Sequence, residues 1–362
     1  MNLSSILEKM EQGITPDIPE LVYLLELPDG MEKDQLFAAA YQTKLKYVGN
    51  KIHLRGIIEF SNICTKNCCY CGIRRDNHKV SRYQIPEDDI VTQAMAADQM
   101  GLGSVVLQSG ERSDEAFIAL IERAVRRIKQ ESNGRLGITL STGDQSGETY
   151  QRWFEAGAHR FLLRIEASVP ELYAKIHPPD HSWENRKNCL KLLAEAGYQT
   201  GTGVMLGLPF QTMEHIAKDL LFYQEMNVDM IGMGPYIIHK DTPLAKEMPD
   251  FDPERQLQLG LKAIAITRLL LKNVNIASTT ALQALHPQGR KYGLLAGANV
   301  IMPNITESCR RAGYLLYQGK PGVNDDSAAG LEQLKREAAE AGEVIQWNEW
   351  GDSPHYFARR NG

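Results

Sequence analysis

The sequence contains no uninterrupted apolar run approaching the roughly 20 residues that span a bilayer, so no membrane-spanning helix is expected. Its opening stretch, MNLSSILEKMEQGITPDIPE, lacks the basic-then-apolar order of a secretory signal, and a cytoplasmic location is expected. Positive charge is not in excess: 40 Lys+Arg face 45 Asp+Glu, for a net charge of -5. A dedicated nucleic-acid binder needs clustered cations to neutralise phosphates, so that class is disfavoured. There is no low-complexity tract and no Pro/Gly/Ser linker to divide the chain. With 43% hydrophobic and 23% charged residues the composition is that of an ordinary globular protein, which disfavours disorder and coiled coil. Cysteine is scarce as well, six in 362 residues. These six are not spread as a disulfide framework would be. Cys64, Cys68, Cys69 and Cys71 crowd into eight residues, while Cys189 and Cys309 stand far apart.

What fills the chain is alternation. Short apolar or β-branched runs at 52–60, 104–108, 136–140, 159–165, 200–206, 230–234, 275–281 and 298–302 read as strands. Helical periodicity occupies the intervals, as at 87–101 and 114–130. Eight strands, each followed by a helix, predict an α/β protein built on a (β/α)8 TIM-type barrel, with a six-strand partial barrel as the competitor. The expected organisation is a helical N-terminal arm over 1–50, the barrel over 51–325, and a short C-terminal extension over 326–362 packed on it. The acidic run Glu332–Glu343 reads as a solvated helix face.

In such a barrel the chemistry sits at the C-terminal ends of the strands. Those ends carry Cys64–Cys71, Gln108-Ser109-Gly110-Glu111, Ser141-Thr142-Gly143-Asp144, Arg164 with Glu166, Gly207-Leu208-Pro209, Gly234-Pro235-Tyr236, Thr279-Thr280 and Met302-Pro303-Asn304. Alternation along 52–60 places His53, Arg55, Ile57 and Glu59 on one face, which should line the barrel. Arg55 and Arg164 in barrel strands would be costly without a counter-charge; an anionic ligand would supply one, and the alternative is that both point outward or pair with Glu59 and Glu166. The histidines show no pairing at metal-ligand spacing; His239, in the loop after the sixth strand, is the one that merits attention.

The loop Cys64-Thr-Lys-Asn-Cys68-Cys69-Tyr70-Cys71 contains C-x3-C-x2-C. Three thiolates on one tight loop can hold three irons of a [4Fe–4S] cluster and leave the fourth open, as catalytic metal sites do. Zinc is the alternative and would need a fourth ligand, for which Cys69 or His78 is available. Adjacent Cys68 and Cys69 diverge in extended backbone, which favours the cluster. The cysteines outside the loop form no second C-x2-C, which disfavours a sulfur-donating auxiliary cluster.

This loop after the first strand, together with Gln108–Glu111 after the second, resembles the radical S-adenosylmethionine (SAM) superfamily. IIEFSNICTKNCCYCGIRRDN (57–77), VVLQSGE (105–111), ENRKNCL (184–190), GLPFQT (207–212), GPYIIHKDTPLA (234–245) and ANVIMPN (298–304) resemble more narrowly the HydE family of [FeFe]-hydrogenase maturases. That family shares its branch with biotin synthase and methylornithine synthase. The resemblance covers roughly 45–325. It implies a [4Fe–4S] cluster on Cys64, Cys68 and Cys71, with SAM as cosubstrate cleaved to methionine and a 5′-deoxyadenosyl radical. It also implies that Tyr70 lies beside the adenine, that Gln108, Ser109, Gly110 and Glu111 meet the SAM amino group, and that Ser141 bonds its carboxylate or ribose. Glu166 would take the ribose hydroxyls and Arg186 the carboxylate. Arg55, Arg164, Thr279 and Thr280, with Met205, Met233, Met302 and Asn304, would face a small substrate, an iron carbonyl–cyanide species bound to cysteine. Ferredoxin or flavodoxin as electron donor and the other hydrogenase maturases are the implied partners. The alternatives are a paralogue acting on another small molecule, such as an amino acid rearranged as in methylornithine synthase, and a non-catalytic iron–sulfur scaffold. The fourth strand departs from the HydE pattern, Arg-His-Glu-Thr, by reading Arg164-Ile165-Glu166-Ala167, as does ITESCRRAGY after Asn304.

Overall fold

In the computed structural model, which describes residues 1–323 and 327–361, three helices lead into the sheet: α1 (Leu3–Glu11), α2 (Ile18–Glu26) and α3 (Met31–Tyr47). The first two starts have a local cause. Asn2 caps α1 by accepting from the Ser4 N–H, and Asp17 and Glu20 form a reciprocal capping box on α2. Leu21, Leu24 and Leu25 recur at helical spacing and are buried where α2 packs on the helix Met213–Glu225. Each contributes about 1.5–3 kcal/mol of burial. The α3 helix lies on the helix Pro253–Leu271. No helix among the described residues is long and apolar enough to cross a membrane.

The strands are β1 (Lys51–Leu54), β2 (Gly56–Ser61), β3 (Ser104–Ser109), β4 (Gly137–Ser141), β5 (Arg160–Leu162), β6 (Gln199–Thr202), β7 (Met205–Leu206), β8 (Met230–Ile231), β9 (Gly234–Pro235), β10 (Asn275–Ile276), β11 (Val300–Ile301) and β12 (Val344–Gln346). Seven form one parallel sheet in the order β10-β8-β6-β5-β4-β3-β2, and β11-β1-β12 form another. Backbone bonds join the two. Ser278 N donates to Val300 O and Asn299 N to Ile276 O, each at 2.9 Å, and Ile57 exchanges bonds with Pro303 O and Ile305 N. With the bridges Ala277↔Val300 and Ile57↔Asn304, the parallel ring closes on itself, which decides for eight strands over six. The single strand expected over 52–60 is broken at Arg55, so that β1 serves β11 and β12 while β2 serves β3. The strands expected at 200–206 and 230–234 each break in two; β7 and β9 pair as a short parallel rim beyond the breaks.

The C-terminal segment does more than rest on the barrel. It closes the floor. Asn275 Nδ2 and Arg55 Nη2 both donate to Gly351 O, at 2.8 and 3.0 Å, and the Ser353 N–H donates to Gln199 Oε1 at 3.0 Å. Fully buried Arg160 donates to Trp350 O and pairs with Asp352, which also lies 3.2 Å from His159 Nε2. The boundary expected at 325/326 lies outside the described residues. The expectation of a solvated face over 332–343 is corrected: Glu337 is buried against Arg290, and Glu343 is paired 2.6 Å from Lys44 with both side chains fully buried. Glu332, Lys335, Arg336 and Glu340 fit the expectation, being exposed.

Burial opposes ionisation of Asp352, but His159 and Arg160 outweigh it and hold the carboxyl below its ordinary value. Its stabilisation is therefore present above the unfolded value of about 3.9 and fades as pH falls below it. Asp352→Asn should cost about 1.5–3 kcal/mol at pH 7, the worth of a hydrogen bond to a charged group. Urea unfolding should show that difference shrinking below pH 4.

Candidate active site

Every polar strand end of the ring above the floor opens into one cavity of about 310 Å³. Its walls include Cys64, Cys68, Tyr70, Cys71, Gln108, Ser109, Gly110, Glu111, Ser141, Arg164, Glu166, Arg186, Met205, Thr279, Thr280, Met302 and Asn304. The structure thus brings together nearly every residue singled out from the sequence. Two stay away. Arg55 belongs to the same strand face as Glu59 but sits four residues earlier, about 13 Å lower at strand rise. It lines a separate small pocket with Thr139, Met230 and Asn275. Met233 is buried outside the cavity, with its Sδ 3.9 Å from Thr267 Oγ1. His239 is buried behind the cysteine loop, where a side chain on Gly72 would stand 2.5 Å from its ring.

The cysteine loop is shaped by its neighbours. The Cys69 N–H donates to Ile176 O and Cys69 O accepts from the Leu244 N–H, at 2.9 and 3.1 Å, and Cys69 does not line the cavity. Cys64, Cys68 and Cys71 do. The Cys64 sulfur accepts from the backbone N–H groups of Lys66 and Glu111, both at 3.4 Å. Gly110 is obligatory here: a Cβ would stand 2.4 Å from Ile63 O and 2.8 Å from Cys64 Cβ. Burial, with the neighbouring Cys64 thiol adding to it, pushes Cys71 up to about 12; burial also raises Cys64 and Cys68. Three half-buried thiols on one wall are poor thiolates alone and become good ones only around a cation, so this donor set fits a bound metal cluster.

Beside the loop, charges interlock. Arg186 Nη2 donates to Glu111 Oε2 at 3.0 Å, and Arg186 Nε lies 2.9 Å from Asp144 Oδ1. Burial disfavours the Asp144 carboxylate, yet the Arg186 guanidinium holds it down at about 2. Gly143 (φ +83°) passes so close to Glu111 that a Cβ would stand 2.2 Å from its Cγ. Arg164 pairs with Glu166 at 3.0 Å and donates to Val204 O at 2.9 Å. Glu166 itself has φ +65°, a strained conformation for a residue with a side chain, and burial raises its carboxyl. Thr279 Oγ1 is buried with no hydrogen-bond partner among the described residues, and Thr280 Oγ1 is 3.0 Å from Tyr317 OH.

Several cavity residues carried no sequence signal. Lys320 pairs with Glu59, whose other oxygen accepts from Asn304 Nδ2 at 2.9 Å. Tyr314 and Tyr317 complete that wall. His181 lines the cavity as well, and His177 Nε2 is 3.0 Å from Tyr70 OH. His177 and His181 are four apart, a spacing that could have marked them, although Pro178 and Pro179 between them break any helix.

Residues 58–223 match the family model of the Radical SAM superfamily. The chain is 46% identical over 317 residues to the [FeFe] hydrogenase maturase subunit HydE of Thermotoga maritima, covering 87% of each. It is 27% identical to 3-methylornithine synthase of Methanosarcina acetivorans, over 86% of this chain and 85% of that one. Among solved structures, methylornithine synthase (PylB) superposes with TM-score 0.81 at 22% identity, covering 95% of this chain and 98% of that one. The FeFe-hydrogenase maturase HydG of Carboxydothermus hydrogenoformans superposes with TM-score 0.78 at 20% identity, covering 95% and 79%. At these identities the two structures speak for the fold.

Proposed function

Because the chain belongs to the radical SAM superfamily, an enzyme class that uses SAM and a [4Fe–4S] cluster, we propose that it is a HydE-type maturase acting in [FeFe]-hydrogenase maturation. The observation that carries this reading is 46% identity across 87% of both chains, a span long enough to include the cavity walls as well as the cysteine loop.

When bound, the reduced cluster and SAM supply reductive cleavage of a sulfonium C–S bond, giving a 5′-deoxyadenosyl radical. The chain's own residues bind and orient. Cys64, Cys68 and Cys71 would hold the cluster. Glu111 would accept from the SAM ammonium and Arg186 donate to its carboxylate, opposite charges already fixed against each other at 3.0 Å. Glu166 would accept from the ribose hydroxyls, Ser141 would donate to ribose or carboxylate, and Tyr70 would lie against the adenine. Arg164, Thr279 and Thr280 would bind a small anionic substrate. The enclosing strands exclude water from a reactive radical. Neither Cys189 nor Cys309 lines the cavity, which supports a site without a second, sulfur-donating cluster.

Two measurements test the proposal at its two levels. The anaerobically reconstituted protein, given dithionite and SAM, should form 5′-deoxyadenosine, and the iron-free chain should not. Added to a hydrogenase-maturation extract lacking its own HydE, the reconstituted protein should restore hydrogenase activity. Deoxyadenosine without restored hydrogenase would sink the maturase assignment and favour action on another small molecule.

A further inference from the structure

His181 lies in the loop between the helices Pro170–Ile176 and Trp183–Glu195 and is buried. Its ring is boxed in. The rings of His177 and Tyr173 meet it edge-on at 4.6 and 5.7 Å, and its own backbone N–H donates to Pro178 O at 3.0 Å. Both ring nitrogens face polar atoms. Nε2 is 2.6 Å from Arg186 Nη2, and Nδ1 is 3.7 Å from Cys68 Sγ, hydrogen-bond range for sulfur. Asp144 Oδ2, at 3.7 Å from Nε2, is too distant to accept from it.

The tautomer follows from elementary bookkeeping. A guanidinium has only N–H donors, so the nitrogen 2.6 Å from it must present a lone pair. A neutral imidazole with a lone pair on Nε2 carries its proton on Nδ1. That proton points at Cys68. Arg186 is in turn held by Glu111 and Asp144, so the ring's orientation and its protonation are fixed by the same ion pairs.

We propose that His181 is a positioning residue that donates an Nδ1–H···Sγ hydrogen bond to Cys68 and thereby raises the reduction potential of the cluster this loop holds. The inference rests on the cluster reading above. The physical reason is general. Reduction adds negative charge to the cluster and its thiolates, and a donor to a ligating sulfur stabilises the reduced form more than the oxidised form. Because the donor's tautomer is set by Arg186, the potential is tied to the integrity of the ion-pair network beside the SAM residues.

The test is the midpoint potential of the reconstituted protein without SAM, at matched iron content, in wild type, His181→Leu and His181→Asn. Leucine fills the space without a donor and should shift the potential to a more negative value. Asparagine carries an amide N–H at the reach of Nδ1 and should return it toward wild type. Equal potentials in wild type and His181→Leu would overturn the role of His181 while leaving the cluster reading intact; a wild type that takes up no four-iron cluster would overturn both. Where the leucine variant fails to fold, long-range ¹H–¹⁵N correlation of the wild-type imidazoles gives an independent readout. A proton on Nδ1 of His181 supports the inference, and one on Nε2 overturns it.

Discussion

Cys68→Ala is expected to reduce 5′-deoxyadenosine formation to the level of the iron-free chain. Removing an outer partner of a metal ligand typically costs about 10–100-fold in affinity or activity, and losing the ligand itself costs more. Cys69 cannot step in, although it is the next residue. Its backbone N–H and carbonyl are both committed, to Ile176 and Leu244, and it lies outside the cavity that Cys64, Cys68 and Cys71 share. Swinging it inward would break both bonds. The substitution should leave the iron-free fold nearly untouched, because the Cys68 side chain sits on the cavity wall and packs no core. Iron content, deoxyadenosine yield and the unfolding midpoint of the iron-free chain check the three parts. Wild-type turnover in the alanine variant would refute the ligand assignment.

Arg186→Leu is expected to act on stability as much as on SAM binding. The guanidinium is buried between Glu111 and Asp144, and its loss leaves two carboxylates facing each other's neighbourhood without a cation. Breaking a buried pair in this way costs about 3–5 kcal/mol. The pH dependence carries the signature. Asp144, held at about 2 in the folded chain, gives stability that is present above its unfolded value near 3.9 and is lost as pH falls from there toward 2. That limb is worth about 2–3 kcal/mol. In the leucine variant the limb should flatten, because the unpaired carboxyl takes up a proton more readily. Urea unfolding between pH 7 and pH 2 measures both effects, and an unchanged acid limb would show that Arg186 is not what holds Asp144 ionised.

Features that depend on neighbouring residues were legible in the sequence. The cysteine loop, Gln108–Glu111, Ser141 and Thr279-Thr280 are short contiguous runs, and a strand end places each run whole. Alternation also assigned the correct face of β2, since Ile57 and Glu59 line the cavity. It could not assign height along the strand, and Arg55 therefore lies at the floor instead of the mouth. What escaped was pairing across the chain. Glu59 meets Lys320 over 261 positions, and Lys44 meets Glu343 over nearly 300. No local period encodes either contact, so the acids of 332–343 looked solvated when two of them are core ion-pair partners. His181 escaped for a related reason: its significance lies in Arg186 on the next helix and Cys68 on a distant loop, neither of which stands at ligand spacing from it.

The floor of the barrel has a consequence for how the chain is made. Lys51 in β1 pairs with Val344 in β12, and Arg160 waits for Asp352, so early strands find their last partners almost at the other end of the chain. Contacts of such sequence separation form late, and a chain under synthesis holds its completed α/β layers with an open base until residues 344–353 have emerged. During that interval Arg55 and Arg160 lack the carbonyls of Gly351 and Trp350 that later accept from them. A nascent or truncated chain ending before 344 should therefore be a better chaperone and protease substrate than its nearly complete strand content suggests.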